Sequence, residues 1–145
     1  MYEKVIDLNP NFADGYADLG GILNFAGRPE KAIALIDKAM RLDPLPPVYH
    51  MFHLGHAHFL MNRHDEAITA LRGALKSNSD FFPARAFLAV TYIELGHEDE
   101  ARAEVVEISR RSPETTLEVW QKTLPYKNQE LTKRILKALH KAGLK

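Results

Sequence analysis

The sequence predicts an all-α protein built as a linear array of helix–turn–helix units, and three observations predict it. Prolines mark unit ends at Pro10, Pro44 and Pro113; the first two lie 34 residues apart and the third two such steps and one residue further on. Alanines midway between these marks, Ala32, Ala67 and Ala101, follow one another at intervals of 35 and 34. Between them, apolar residues recur at the three-and-four spacing of a helix, not at the alternation of a strand. Such a period belongs to stacked arrays, in which each unit buries its apolar face against its neighbours and no single centre organises the core.

Taken in order, the first full unit covers 11–46. Tyr16, Leu19, Gly20 and Leu23 share one face of its first helix, which Gly27 ends. Pro29 suits the first turn of the second helix, where a missing N–H is harmless. Ala32, Ile33, Ile36, Ala39 and Met40 form that helix's buried stripe, and Asp43-Pro44 stops it, because a residue before proline is steered away from the helical region. The second unit, 47–81, repeats the pattern: Leu54-Gly55 answers Leu19-Gly20, and Ala67, Leu71 and Ala74 answer Ala32, Ile36 and Ala39. Asn62 stands where the turn glycine is expected, tolerable because asparagine accepts positive φ. The third unit, 82–113, reads Leu88, Ala89, Tyr92, Gly96, Ala101, Val105, Ile108 and Pro113. Gly20, Gly55 and Ala89 are expected to face Ala32, Ala67 and Ala101, so that paired backbones approach closely.

Composition narrows the function classes. Nineteen basic and nineteen acidic residues cancel, so no net field favours nucleic acid or an anionic membrane. The absence of cysteine removes disulfides, thiol chemistry and cysteine-bound zinc. The start lacks a basic, then apolar, leader pattern, and no run approaches the roughly 18 apolar residues of a membrane span. The expectation is a cytoplasmic protein. Phosphate loops, dinucleotide fingerprints, HExxH and GxSxG are all missing, so the chain reads as no enzyme and needs no cofactor.

The pattern Tyr16, Leu19-Gly20, Leu23, Gly27, Ala32, Ile36, Ala39, Pro44, with its two echoes, resembles the tetratricopeptide repeat (TPR) over about residues 1–113. The resemblance implies a right-handed α-α superhelix, a TPR solenoid of about three full repeats. Its first helices would line a concave groove that binds a protein or peptide. By that phase unit one offers Asp14, Ala17, Gly21 and Asn24, unit two Tyr49, Phe52, His53, His56 and Phe59, and unit three Pro83, Ala86, Val90 and Ile93. The middle is aromatic and the ends are small, which suits an apolar or extended peptide; alternatively, Phe52 and Phe59 simply pack between units. The lysine, asparagine and arginine with which some TPRs grip a C-terminal carboxylate are replaced by Ala17, Gly21, His53, Pro83 and Phe87, so that mode is not expected.

The ends read differently. Residues 1–10, with Tyr2, Val5, Ile6 and Leu8, match the end of a unit's second helix without its partner helix, and are expected to be a remnant of a preceding repeat. Its open edge offers a route to a homodimer. Residues 114–145 are expected to form a partial fourth unit, helical from Glu114 to Leu124, and a capping helix. Asn128 would cap that helix, Leu131, Ile135, Leu139 and Ala142 would share its buried face, and Gly143 would end it. The run Leu124-Pro125-Tyr126-Lys127, with Leu131, Leu139, Lys141, Ala142, Gly143 and Leu144, also resembles the C-terminal tail of bacterial class III adenylate cyclases that carry TPR arrays. That resemblance implies a signalling parent whose catalytic domain lies elsewhere.

Two clusters remain. His50, His53 and His56 step by three along one helix and are the candidate metal ligands, although the i, i+4 pairing that favours helical metal sites is missing. Groove-lining histidines that tune partner binding with pH are the other reading. From Glu114 onward seven Lys and Arg oppose three Glu, with Lys133, Lys137 and Lys141 on one face. A solvated face is the expectation there, since no aromatics interleave to stack bases.

Overall fold

The computed structural model describes residues 13–43, 48–124, 126 and 128–145. The remnant expected at 1–10, its dimerisation edge and the Asp14 side chain lie outside what is described. Among the described residues there are eight α-helices and no strand: α1 (Ala13–Phe25), α2 (Pro29–Leu42), α3 (Val48–Leu60), α4 (His64–Ser77), α5 (Phe82–Glu94), α6 (Glu98–Arg111), α7 (Leu117–Thr123) and α8 (Gln129–Lys141). The pairs α1/α2, α3/α4 and α5/α6 pack within units; α2 against α3 and α4 against α5 join the units in sequence. Because α1, α3 and α5 also touch in succession, the first helix of each unit lies on one continuous face. This is the expected all-α superhelical array.

The three intra-unit turns are the same device built three times. Gly27, Asn62 and Gly96 all adopt positive φ, at 81°, 59° and 81°. In each, the next residue's N–H reaches back to the last turn of the first helix: Arg28 to Leu23 O, Arg63 to His58 O and His97 to Tyr92 O, all at 2.8 Å. This 6→1 bond is the αL stop that glycine permits and asparagine tolerates. The helices that follow lack side-chain caps. Acidic first turns, Glu30, Asp65-Glu66 and Glu98-Asp99-Glu100, and basic last turns, Arg41, Lys76 and Arg110-Arg111, complement the helix dipoles instead.

Close approach within a unit follows from missing side chains. A Cβ on Gly20 would lie 2.6 Å from Ile36 Cγ1 and 3.3 Å from Ala32 O; on Gly55 it would lie 2.6 Å from Leu71 Cγ and 3.3 Å from Ala67 O. Ala32, Ala67, Ala89 and Ala101 are fully buried. Units two and three share one large core with the tail, in which Leu71, Phe87, Leu88, Ile108, Ile135, Leu139 and Leu144 are closed from solvent. Burying one such side chain is worth roughly 1.5–3 kcal/mol, so the tail is a full participant in the fold.

The tail departs from expectation at α7. A helix from Glu114 was expected, but Ser112 Oγ is hydrogen-bonded to Glu114 and Thr115, holding the chain in a turn. Thr116, in extended conformation, then caps a helix of only seven residues, its Oγ1 accepting from Val119 N at 3.4 Å. Of its apolar residues, Trp120 is buried and Val119 is 43% exposed. α8 follows expectation: Asn128 Oδ1 accepts from Glu130 N at 3.0 Å, and Gly143 ends the helix at φ 106°.

Candidate functional site: the concave face and the segment seated on it

The concave face is built from the first helices α1, α3 and α5. On it, Asn24, His56, Phe59 and Val90 are almost wholly buried, Phe52 and Ala86 nearly so, and Tyr49, His53 and Ile93 half-buried. Neighbouring units account for part of this burial: Phe52 packs at ring-centroid distances of 5.2 Å and 5.8 Å on Phe81 and Phe87, and Phe59 lies 5.4 Å from Phe87.

The chain's own tail accounts for the rest. Tyr126 enters the face with its ring 5.0 Å from Phe25 and 5.8 Å from His56, and its hydroxyl shares a hydrogen bond with His56 Nε2. Two turns into the following helix, the Arg134 guanidinium lies 4.9 Å over the Phe59 ring. It donates from Nε and Nη2 to the two carboxylate oxygens of Glu94, each at 2.5 Å, and from Nη2 to Asn62 Oδ1 at 3.2 Å. His64 Nε2 meets the same carboxylate at 2.9 Å, and at the far end Lys141 Nζ pairs with Glu98 at 3.2 Å. α8 packs on α5 and α7. The tail therefore does more than cover the third unit: Tyr126 reaches α1, and Arg134 reaches the turn of the second unit.

The tetratricopeptide repeat family matches this chain twice, over residues 1–34 and residues 58–122. Three phased helix pairs with a shared turn, two of them crossing glycine on alanine and the third alanine on alanine, agree with these matches. The chain carries tetratricopeptide repeats. No curated protein sequence matches it. Among solved structures, MamA superposes with a TM-score of 0.72 at 27% identity, covering 97% of this chain and 82% of MamA. YrrB, described as a TPR protein with an unusual peptide-binding site, gives 0.66 at 20% identity over 97% of this chain and 72% of its own. The second TPR domain of human RPAP3, in complex with the HSP70 peptide SGPTIEEVD, gives 0.66 at 17% identity over 90% and 93%.

The electrostatics of this TPR face keep its buried groups neutral and its latch charged. Burial first, and the neighbouring His53 second, lower the His56 imidazole to about 3; burial and then His50 lower His53 to about 4. Burial likewise raises the Tyr126 phenol, against the opposing charge of Arg134. Burial works to raise Glu94, but the hydrogen bonds from Arg134 and His64 outweigh it and hold its carboxyl below the usual range.

The histidines do not converge on a metal. His53 packs against α1, where a Cβ on Gly21 would sit 2.7 Å from its ring. His56 turns to Tyr126 and Phe87, the latter ring 4.8 Å away. Among the described residues no three His, Cys, Asp or Glu side chains come together as a ligand set. The lysine stripe on α8 is solvated as expected, and two of its members already have partners, Lys133 with Glu130 and Lys141 with Glu98.

Part of the face remains open. Between the α1–α2 turn, the end of α3 and the front of α8 lies a cleft of about 660 Å³, bordered by Asn24, Phe25, Leu60, Tyr126, Leu131 and Arg134. Asn24 spans two units there, donating from Nδ2 to His53 O at 2.9 Å. Sequence reasoning missed Tyr126, Arg134, Glu94 and His64 as parts of this face. The available signals were a lone aromatic in a polar linker and one arginine in a stripe of lysines.

Proposed function

We propose that this TPR array is a non-catalytic protein-interaction module that accepts a peptide or helix of a partner on its concave face. The groove is that of Asn24, Tyr49, Phe52, His53, His56, Phe59, Ala86, Val90 and Ile93. One observation carries the reading: a polypeptide segment is already seated there, held by an aromatic anchor at Tyr126 and a bidentate arginine at Arg134. Such anchors are what hot spots of protein interfaces are made of. The peptide-binding site named for YrrB and the bound peptide of RPAP3 support the same use of the fold. On the tail sequence alone, we assign the parent to the bacterial signalling proteins of the cytoplasm, with a class III adenylate cyclase as the candidate.

Selection of displayed random peptides on the immobilised protein tests the module. Selected peptides should lose binding with Tyr49→Ala or Ile93→Asp on the concave side and keep it with Val106→Asp on α6, whose side chain is 60% exposed. Peptides indifferent to the concave substitutions would overturn the reading.

A further inference from the structure

The tail's hold on the concave face is of two kinds. Its rear half is apolar and closed: Ile135, Leu139, Ala142 and Leu144 are each no more than 2% exposed and belong to the core of units two and three. Its front half joins that core through one buried ring, Tyr126, 4% exposed, and is otherwise held by directed contacts, namely the Tyr126–His56 hydrogen bond and the Arg134–Glu94–His64–Asn62 cluster. Leu131, between them, is only half-buried. The front is also undercut by the 660 Å³ cleft, whose walls are α1 and α3 on one side and Asn128, Leu131 and Arg134 on the other. The cleft beside Leu131 and Arg134 leaves the front less fully packed than the rear, which makes the front the part that can leave.

From this geometry we propose that Tyr126, Leu131 and Arg134 form a resident, displaceable ligand, and that the external partner is a segment of matching chemistry, an aromatic lead-in followed by a helix, which competes with it. The inference rests on the interaction-module reading and says what that module recognises. The partner presents an aromatic hydroxyl to the Phe25–His56 site. An aliphatic side chain about five positions on enters the cleft, and an arginine about three further on pairs with Glu94 and stacks over Phe59. Directed hydrogen bonds and an ion pair fix the register of such a helix, because each leaves a buried group unsatisfied if the partner lacks it. Glu94 enforces the arginine. Its carboxylate, held charged, accepts from both Arg134 nitrogens and from His64, and a lysine cannot reproduce that fork.

The test uses the full chain and a synthetic, fluorescently labelled peptide of residues 122–134 of this sequence, the front of the tail without its rear core residues, followed by anisotropy. An opened variant, Tyr126→Ala with Arg134→Ala, removes the front anchors and leaves the rear core in place. The peptide should bind the opened variant at least about tenfold more tightly than the unaltered chain, and the gain should vanish for a peptide carrying the same two alanines. Helical circular dichroism and a cooperative melt establish that the opened variant is folded; should it not be, Arg134→Lys alone is the milder opening, with a smaller gain of the same sign. Equal binding to both proteins, or none to a folded opened variant, overturns the proposal. Library-selected peptides that bind the concave face of both proteins equally would overturn it while leaving the module reading intact. Tighter binding of the 122–134 peptide to the opened variant, with no external peptide selected, would support the displaceable tail but overturn the module reading and the external partner with it.

Discussion

Tyr126 and His56, 70 residues apart, share a hydrogen bond beneath the concave face, between a phenol and an imidazole that burial keeps neutral. Removing the hydroxyl leaves a ring nitrogen of His56 buried without that partner, at a cost of roughly 1–3 kcal/mol. Tyr126→Phe should therefore lower the unfolding free energy from urea titration by that amount, and the midpoint with it, while keeping the ring contact with Phe25. An unchanged midpoint would show that water or another group satisfies His56.

The Glu94 carboxylate, half-buried, ties the second-unit turn to α8 through His64 and Arg134. Glu94→Gln should destabilise by about 1–3 kcal/mol, below the 3–5 kcal/mol of a fully buried pair because water reaches this one. Amide exchange should rise at the front of α8 more than at its rear. Uniform exchange along α8 would contradict the two-part hold.

Two alanine substitutions should fail for different reasons. Gly55→Ala drives a Cβ into Leu71 and should cost about 1–3 kcal/mol, and much less when introduced into a Leu71→Ala background, which makes room for it. Gly96→Ala meets no neighbour, but its φ of 81° is strained for alanine, at about 1–2 kcal/mol. No substitution at Leu71 should rescue it. Urea titration of the four variants checks both.

Acid should weaken the fold before any carboxylate titrates. His53 and His56 are lowered to about 4 and about 3, burial being the main cause in both, against about 6.5 in an unfolded chain. As pH falls the unfolded state takes the proton first. Their contribution is thus complete above about pH 6.5 and declines toward the folded values, by at most about 1.4 kcal/mol per pH unit for each histidine. The urea midpoint should fall between pH 7 and pH 5, and His53→Gln should flatten that slope. A level midpoint over this range would mean that the imidazoles reach solvent.

Much of the array was legible in the one-dimensional pattern. Gly20 and Gly55 against Ala32 and Ala67, the αL turn at Asn62, the helix start at Pro29 and the cap at Asn128 all follow from local rules: where φ must be positive, where a Cβ cannot fit, where an N–H is dispensable. The helix expected from Glu114 starts only at Leu117, because Ser112, Thr115 and Thr116 compete with the backbone for its first turn, and periodicity does not register that competition.

The repeat, the all-α class and the phase that sends Phe52, His56 and Phe59 to one side were determined by the sequence alone, since each depends on contacts within one unit or with the next. Where the tail comes to rest was decided only in three dimensions. Tyr126 meets Phe25 and His56, and Arg134 meets Glu94, across separations of 40 residues and more, and no local period encodes such a meeting. It depends on how three stacked units are placed together, which brings α1 and α3 within reach of Tyr126 and α5 within reach of the helix that follows it.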